Sequence, residues 1–418
     1  MIIEFSLANF RSFHSGQTVS FRATGLTSEA DEKNILYVDE RNKFLKIVGV
    51  YGANASGKSN LIRGLSFMQE MVDSSLESES VIGWGFRPYR LAANFENNDG
   101  YFQIVLLLDG KKYRYGFTIS DDLLIESEWL FGPAKKNETY YFKRKGRNID
   151  INDDFFSEGQ NLPKDKLRDQ TLFLTFVASY NGSVSKLIKD FVSDKISIDS
   201  SQPTLKKINS PGPTTERNRE LTDQLVNSGQ KQVVINWMKQ AGLYFSDVSV
   251  EKMQLSKNFT FNRIKLQKNV FDDKGDVIGS VEMDLESDES EGTQKFYSYI
   301  GDLYERFQNG GIFVSDEIDS NFHPSLLRQI ICLFQDPSIN RAGAQLFFTS
   351  HNTSLMNPNY MRRDQFYFTE KSIFDETRVY SLADLKGIRN HADFAQQYLS
   401  GFYGALPQLG SFLSNQKA

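Results

Sequence analysis

One stretch near the start of the chain, Gly52-Ala53-Asn54-Ala55-Ser56-Gly57-Lys58-Ser59-Asn60, constrains the fold more than any other. It follows the apolar run Ile47-Val48-Gly49-Val50-Tyr51 and fits G-x-x-x-x-G-K-[ST] at Gly52, Gly57, Lys58 and Ser59. Backbone N–H groups of such a loop surround nucleotide phosphates. Glycine lets the backbone close on an anion, the lysine reaches the β- and γ-phosphates, and the Ser59 hydroxyl can ligate Mg²⁺. Leu61, Ile62, Leu65, Phe67, Met68 and Met71 follow at helical spacing, so the order is strand, loop, helix. The helix directs its positive end at the same phosphates. A Gly-rich turn that binds nothing would not require that order.

The 418 residues allow one large α/β domain with insertions, or two domains sharing a core. A net charge of -5 gives no global attraction to nucleic acid, although a local basic face remains compatible with it. The one cysteine, Cys332, lies in Ile330-Ile331-Cys332-Leu333-Phe334 and reads as a buried small hydrophobe. With no second thiol, an intrachain disulfide is excluded and a thiol-ligated zinc is not expected. The N-terminus lacks the pattern of a signal peptide, and no apolar run approaches about 20 residues, so a cytoplasmic protein without a membrane span is expected.

The sequence predicts an N-terminal strand over 1–9, a turn at Phe10 to His14 carrying Arg11, and further strand pieces before the loop, hence a mixed sheet. Asp73 to Ser80 reads as a loop. The Asp109-Gly110 dipeptide marks a hairpin between Tyr101–Leu108 and Tyr113–Ile119, continued by a meander through Ile125–Leu130 and Thr139–Arg144. Lys143, Arg144, Lys145 and Arg147 could touch a phosphate backbone there, though short charge runs at turns are usually solvated. Residues 150–245 read as helical and polar, with Thr171–Val177 buried and Ser200–Thr215 a Ser/Pro-rich connector. Strands return over 248–285. The expected organisation is an N-terminal lobe over 1–150, a helical insertion over 151–245 and a C-terminal lobe over 246–418.

Chemistry reappears late in the chain. Gly311-Ile312-Phe313-Val314-Ser315 is a strand ending in Asp316 and Glu317. Asp316 can hold Mg²⁺ opposite Ser59, and Glu317 can orient the water that attacks a γ-phosphate. The strand Gln345–Ser350 ends in His351, whose imidazole can donate to a phosphate oxygen. Between them, Pro324–Phe334 has helical spacing. Upstream, Ser290-Glu291-Gly292-Thr293 caps a helix, and such an N-terminus either binds an anion or is simply a cap.

Asn9-Phe10-Arg11-Ser12, Gly52 to Ser59, Ser290-Glu291-Gly292-Thr293, Asp316-Glu317, Asp319 and His351 together resemble the ABC-class ATPases of the SMC and RecF kind. The chain is more similar still to the stand-alone AbiLi/RloA-type ATPases and the ATPase half of OLD-family proteins, which act in anti-phage defence. The resemblance covers about 1–130 and 245–410, and Tyr398 to Pro407 resembles the tail of the stand-alone group. It implies an α/β ABC-type head with a mixed β-sheet core, an N-terminal antiparallel β subdomain and a helical insertion. It also implies ATP and Mg²⁺ as cofactors, with Arg11 and Ser12 approaching the nucleotide, Ser290 and Gly292 presented to a second subunit's γ-phosphate, and Asp319 in a dimer-contact loop. The expected assembly is a homodimer or higher homo-oligomer through the ATP sites, with a separate effector, a nuclease, because 418 residues leave no room for an OLD-type nuclease domain. Glu291 stands where ABC proteins commonly carry glycine, and for the usual Gln-bearing loop the candidate is Gln103. A RecF-like DNA-repair ATPase and a nucleotide-gated scaffold with little turnover are the competing readings.

Overall fold

In the computed structural model, residues 1–40, 42–76, 83, 85–92, 98–135, 137–200, 214–256 and 259–407 are described. They belong to two compact units, one of Ile2–Asp190 with Phe347–Ala418 and one of Met1 with Phe191–Leu346. The fold is α/β, with parallel and antiparallel strand pairs.

The first unit holds the phosphate loop. Its larger sheet has seven strands, all paired antiparallel, in the order Asn148–Ile151, Glu138–Lys145, Ile125–Pro133, Lys111–Ile119, Gly100–Leu108, Ile2–Ala8 and Gln17–Ser20. Asp109 and Gly110 take positive φ of 49° and 71°, the twist that a two-residue hairpin needs to match its flanking strands. The feeding strand Ile47–Gly52 is buried throughout and pairs in parallel with Phe366–Lys371, which pairs antiparallel with Thr377–Ser381. Burial on both faces is why Ile47–Gly52 reads as one apolar run instead of alternating.

The helix Lys58–Ser74 buries Leu61, Ile62, Leu65, Met68, Met71 and Val72, a stripe at helical spacing. It lies close to the strand Ile2–Ala8, since a Cβ at Gly64 would stand 2.9 Å from Leu7 Cδ1. Rings of Phe10, Phe67, Phe86 and Phe102 fill the space around it, Phe67 and Phe102 with centroids 5.0 Å apart. The turn that carries Arg11 is therefore anchored by its apolar neighbour. Phe10 and Phe13 are both fully buried and bridge each other.

The second unit holds the acidic motif. Ile196–Asp199 and Ile312–Ser315 form a parallel pair, and Asp247–Ser256, Phe259–Phe271 and Val277–Asp284 a separate antiparallel meander. The long helix Glu291–Asn309 packs on Thr214–Leu225. A Cβ at Gly301 would come within 2.1 Å of the Thr222 nitrogen, so only glycine permits this approach, and the Thr222 hydroxyl donates to Tyr297 O at 2.8 Å.

Several expectations need correction or restriction. The stretch 150–245 is not helical throughout, because Ile196–Asp199 is a strand whose four residues are too few to show a period. Cys332 is exposed: Pro324–Gln335 turns Leu327, Ile330, Ile331 and Phe334 inward and the thiol outward. Arg144 is buried, with Nη1 donating to Thr171 O at 2.6 Å and facing Glu128 at 3.5 Å, so it does not contribute to a basic face. Arg147 is occupied by Asp169 at 2.7 Å. Of the Ser200–Thr215 connector, residues 201–213 lie outside the described residues, as do 77–80 of the loop expected after the first long helix.

Candidate functional site

The phosphate loop is held by parts of the chain hundreds of residues away. Gly52, Ala55 and Gly57 take φ of 154°, 62° and 110°. A Cβ on Gly52 would stand 2.5 Å from Thr369 O and Oγ1, and one on Gly57 would stand 2.3 Å from Thr377 Oγ1. These two glycines are therefore required by close packing as well as by φ. Ser56 and Thr369 share a hydroxyl–hydroxyl bond of 2.6 Å, and Thr377 Oγ1 donates to Ser56 O at 2.8 Å. Lys58 Nζ lies back along the loop, donating to Gly52 O at 2.9 Å and Ala53 O at 3.0 Å. The helix N-cap, Gly57, contributes no side-chain cap, so a negative ligand at this helix start would meet both the lysine and the helix dipole.

Ser12 and Arg11 flank the same helix. Ser12 Oγ accepts from Asn60 Nδ2 at 2.8 Å and shares a hydroxyl–hydroxyl bond of 2.8 Å with Thr377 Oγ1, and Thr377 N donates to Ser12 O at 2.7 Å. Arg11 has φ 53°, donates its backbone N–H to Arg87 O at 2.6 Å, and keeps a buried Nε with no partner among the described residues. Burial, then the charges of Arg63 and Arg87, hold its guanidinium below the usual arginine pKa. Three guanidinium groups thus influence one another here, with Arg63 Nη1 donating to Asn60 Oδ1 at 2.9 Å. An anion would relieve their mutual repulsion.

His351 is exposed and lines a cavity of about 700 Å³ with Gly52, Ala53, Asn54 and Ser56. Within this unit the fold brings together Arg11, Ser12, the loop from Gly52 to Asn60 and His351. Sequence reading missed Thr369, Thr377, Arg63 and Arg87. The threonines sit in an ordinary strand and strand start, with no local signal, whereas Arg63 could have been noticed as a cation in the second turn of the helix that follows the phosphate loop.

The second unit gathers the other predicted residues. The buried strand Ile312–Ser315 delivers Asp316 and Glu317, and Glu317 takes φ 55°. Asp316 N donates to Asp199 O at 2.9 Å, while Tyr299 OH bonds Asp199 Oδ2 at 2.5 Å and Ser315 Oγ at 2.9 Å. Burial and the Asp199 charge push the Tyr299 hydroxyl well above its ordinary pKa, so it serves as a donor. Ser290 is the N-cap of Glu291–Asn309, accepting from Thr293 N at 3.2 Å. A Cβ on Gly292 would come 2.4 Å from Asn321 O, so glycine here lets the helix start lie against the loop that contains Asp319.

Lys295, unforeseen in the sequence, ties this cluster together. Its Nζ donates to Glu317 O at 3.3 Å, Ser320 O at 3.1 Å and Ser320 Oγ at 2.6 Å, and lies 5.0 Å from the Phe322 ring centroid. Burial lowers its pKa, and Asp199, Asp319, Glu317 and Asp316 partly oppose that shift. Gln103 is otherwise engaged: its Oε1 accepts from Trp129 Nε1 at 3.1 Å in the middle of the antiparallel sheet, which removes it as the glutamine of a nucleotide loop.

Among the described residues, no helix is long and apolar enough to cross a membrane. None of the curated proteins matches the chain. Among the solved structures that resemble it are SMC heads. The SMC head domain from Thermotoga maritima is 13% identical, covers 91% of this chain and 98% of its own, and has a TM-score of 0.40. An Smc head bound to the C-winged helix domain of ScpA is 10% identical over 91% and 97%, with a TM-score of 0.45. An Smc head with an extended coiled coil bound to the C-terminal domain of ScpA, derived from Pyrococcus furiosus, is 10% identical over 91% and 96%, at 0.42. A sequence family matches far more of the chain than the motif alone, running from the strand before the phosphate loop to beyond His351. By that match over residues 47–357, the chain belongs to the family described as "AAA domain, putative AbiEii toxin, Type IV TA system".

Proposed function

We propose that the protein binds ATP with Mg²⁺ and hydrolyses it, coupling nucleotide state to a separate effector in anti-phage defence. The observation that carries the nucleotide reading is the phosphate loop itself: Lys58 folded onto the Gly52 and Ala53 carbonyls at the start of a helix with no side-chain cap. Those donors fit a triphosphate, as does the Arg11 Nε, buried and without a described partner beside the same helix. A hydroxyl and a carboxylate suit Mg²⁺, a hard cation that prefers oxygen. Ser59 and Asp316 are its proposed ligands, and bound magnesium would neutralise charge on the phosphates.

On this reading Lys58 and Arg11 bind the phosphates, Ser12 orients Asn60, and His351 donates to the γ-phosphate. Glu317 orients the attacking water and accepts its proton. Ser290, Gly292 and Asp319 serve a second copy of the chain, completing its site in a head-to-tail homodimer or higher homo-oligomer. The likeness to AbiLi/RloA-type ATPases and the description of the matched family support a defence role with a partner effector, a nuclease. DNA is the less favoured partner, given the net charge of -5 and the internal pairing of Arg144 and Arg147.

Steady-state MgATP turnover of the wild type and of Glu317→Gln tests the enzyme. Turnover lost in the variant with ATP binding retained is the expected result. Equal and negligible turnover in both, with tight ATP binding, would establish the scaffold reading instead. Hydrolysis that rises with duplex DNA and falls with salt would point to a repair ATPase.

A further inference from the structure

We propose that the C-terminal segment Tyr398–Leu406 is a strap that positions the phosphate loop, acting through the backbone carbonyl of Ala405. This rests on the nucleotide-binding reading above and extends it to residues outside the loop and the acidic motif.

Ala53, the second residue of the loop, is held at both of its backbone polar groups. Lys58 Nζ donates to its carbonyl at 3.0 Å, and its N–H donates to Ala405 O, also at 3.0 Å. The strap thus holds the N–H of the Gly52–Ala53 peptide unit, whose carbonyl, that of Gly52, accepts from Lys58 Nζ at 2.9 Å. Ala405 is buried and takes φ 58°, a left-handed conformation that a non-glycine residue adopts only when its surroundings impose it.

The surroundings are aromatic and built around Phe368, one residue before the Thr369 that packs against Gly52. Tyr398 stacks on Phe368 with centroids 5.4 Å apart, and Tyr403 sits 5.6 Å from the same ring. Tyr398 OH donates to Ala405 O at 3.2 Å, so one carbonyl oxygen accepts from both the tyrosine and the phosphate loop. Tyr380 OH fixes Tyr403 O at 2.6 Å, and Tyr403 OH donates to Gln397 Oε1 at 2.6 Å. Gly404, at φ 72°, passes so near that a Cβ would lie 2.8 Å from Tyr380 OH.

The strap also forms one wall of the 700 Å³ cavity whose other lining includes Asn54, Ser56 and His351. Its fixed geometry therefore bears on the shape of the phosphate loop and on the space beside it. A loop whose first residues wander is competent for phosphate only part of the time, and apparent affinity falls by that fraction. Loss of the strap should weaken binding and leave the chemistry of bound nucleotide intact.

Three variants test this, read by binding of a fluorescent ATP analogue with Mg²⁺, by kcat at saturating MgATP and by Tm. Ala405→Val places a β-branched residue at positive φ and should raise Kd about tenfold with kcat within twofold. Ala405→Gly accepts that φ and should keep wild-type Kd, a rescue that separates backbone conformation from side-chain packing. Tyr398→Phe keeps the ring and removes the hydroxyl, and a rise in Kd of about threefold with unchanged kcat supports the strap even where Ala405→Val fails to fold. A Kd within experimental error of wild type for folded Tyr398→Phe and Ala405→Val overturns it, as does an equal loss in Ala405→Gly. Lys58→Ala distinguishes the two levels. A wild type that binds no nucleotide overturns both readings, whereas binding lost in Lys58→Ala but unaltered in the strap variants overturns the strap alone.

Discussion

The phosphate-loop unit and the acidic unit solve opposite problems. In the first, Lys58 and Arg11 are positive groups kept among neutral acceptors and other cations, with Ser56 tied by its hydroxyl to Thr369 and by its carbonyl to Thr377. In the second, Asp199, Asp316, Glu317 and Asp319 surround a single half-buried lysine, Lys295. The first is assembled from a contiguous motif braced by distant strands, the second from two separate acidic stretches drawn to one cation. Preorganisation for an anion needs fixed donors. Keeping carboxylates together needs a cation that lowers their repulsion without neutralising them.

The largest effect that would break the comparison is at Lys58. Lys58→Ala should weaken ATP binding more than about a hundredfold, because a charge-assisted donor to phosphate and the brace on Gly52 and Ala53 are lost together. Isothermal titration with MgATP measures it, and a change below tenfold would move the anion site elsewhere. Next, Glu317→Gln should lower kcat by about a hundredfold or more with Kd unchanged, placing chemistry in the acidic unit and binding in the other. Single-turnover rates measure the first quantity.

Lys295→Met sharpens the contrast further. Its cation is held below the usual lysine pKa, so the folded protein releases the proton at lower pH than the unfolded chain does, and the penalty for charging it is present at neutral pH. Removing the charge should lower kcat about tenfold while Tm stays level or rises, since replacing a buried ion by an apolar side chain of similar length is often neutral or stabilising. With pH rising toward the ordinary lysine value, wild-type kcat should decline, and Lys295→Arg should shift that limb upward. A Tm that falls with kcat would mean the lysine merely holds the fold. The smallest effect is at Thr377→Val, which removes the hydroxyl between Ser56 O and Ser12 Oγ. It should cost about 1–3 kcal/mol in urea unfolding and raise the ATP Kd a few-fold.

The two units also differ in how much of each was legible in the sequence. Gly52 to Asn60 was readable because a phosphate loop is local, with its glycines, lysine and flanking periods all in one window. The hairpin at Asp109-Gly110 was readable for the same reason, as was the Ser290 cap. Lys295, Thr369 and Thr377 carry no local sign, since their contacts join residues that the chain separates by many turns. Ile196–Asp199 was hidden by its brevity inside a polar, helix-like stretch. Cys332 was misread because an apolar run treated as uniformly interior is, once helical, interior on one side only. Arg144 was misread in the other direction: charge suggested the surface, but Glu128 and the Thr171 carbonyl receive it inside.

That outward-facing cysteine has a practical side. The sequence holds one sulfhydryl, and it projects from the outer face of the helix Pro324–Gln335, the helix that follows Glu317 and Asp319 in the chain. A maleimide dye or nitroxide added to the unaltered protein will therefore occupy a single address, on the exposed face of that helix. Spectroscopy can then follow that helix as nucleotide is added, with no engineered residue to explain away.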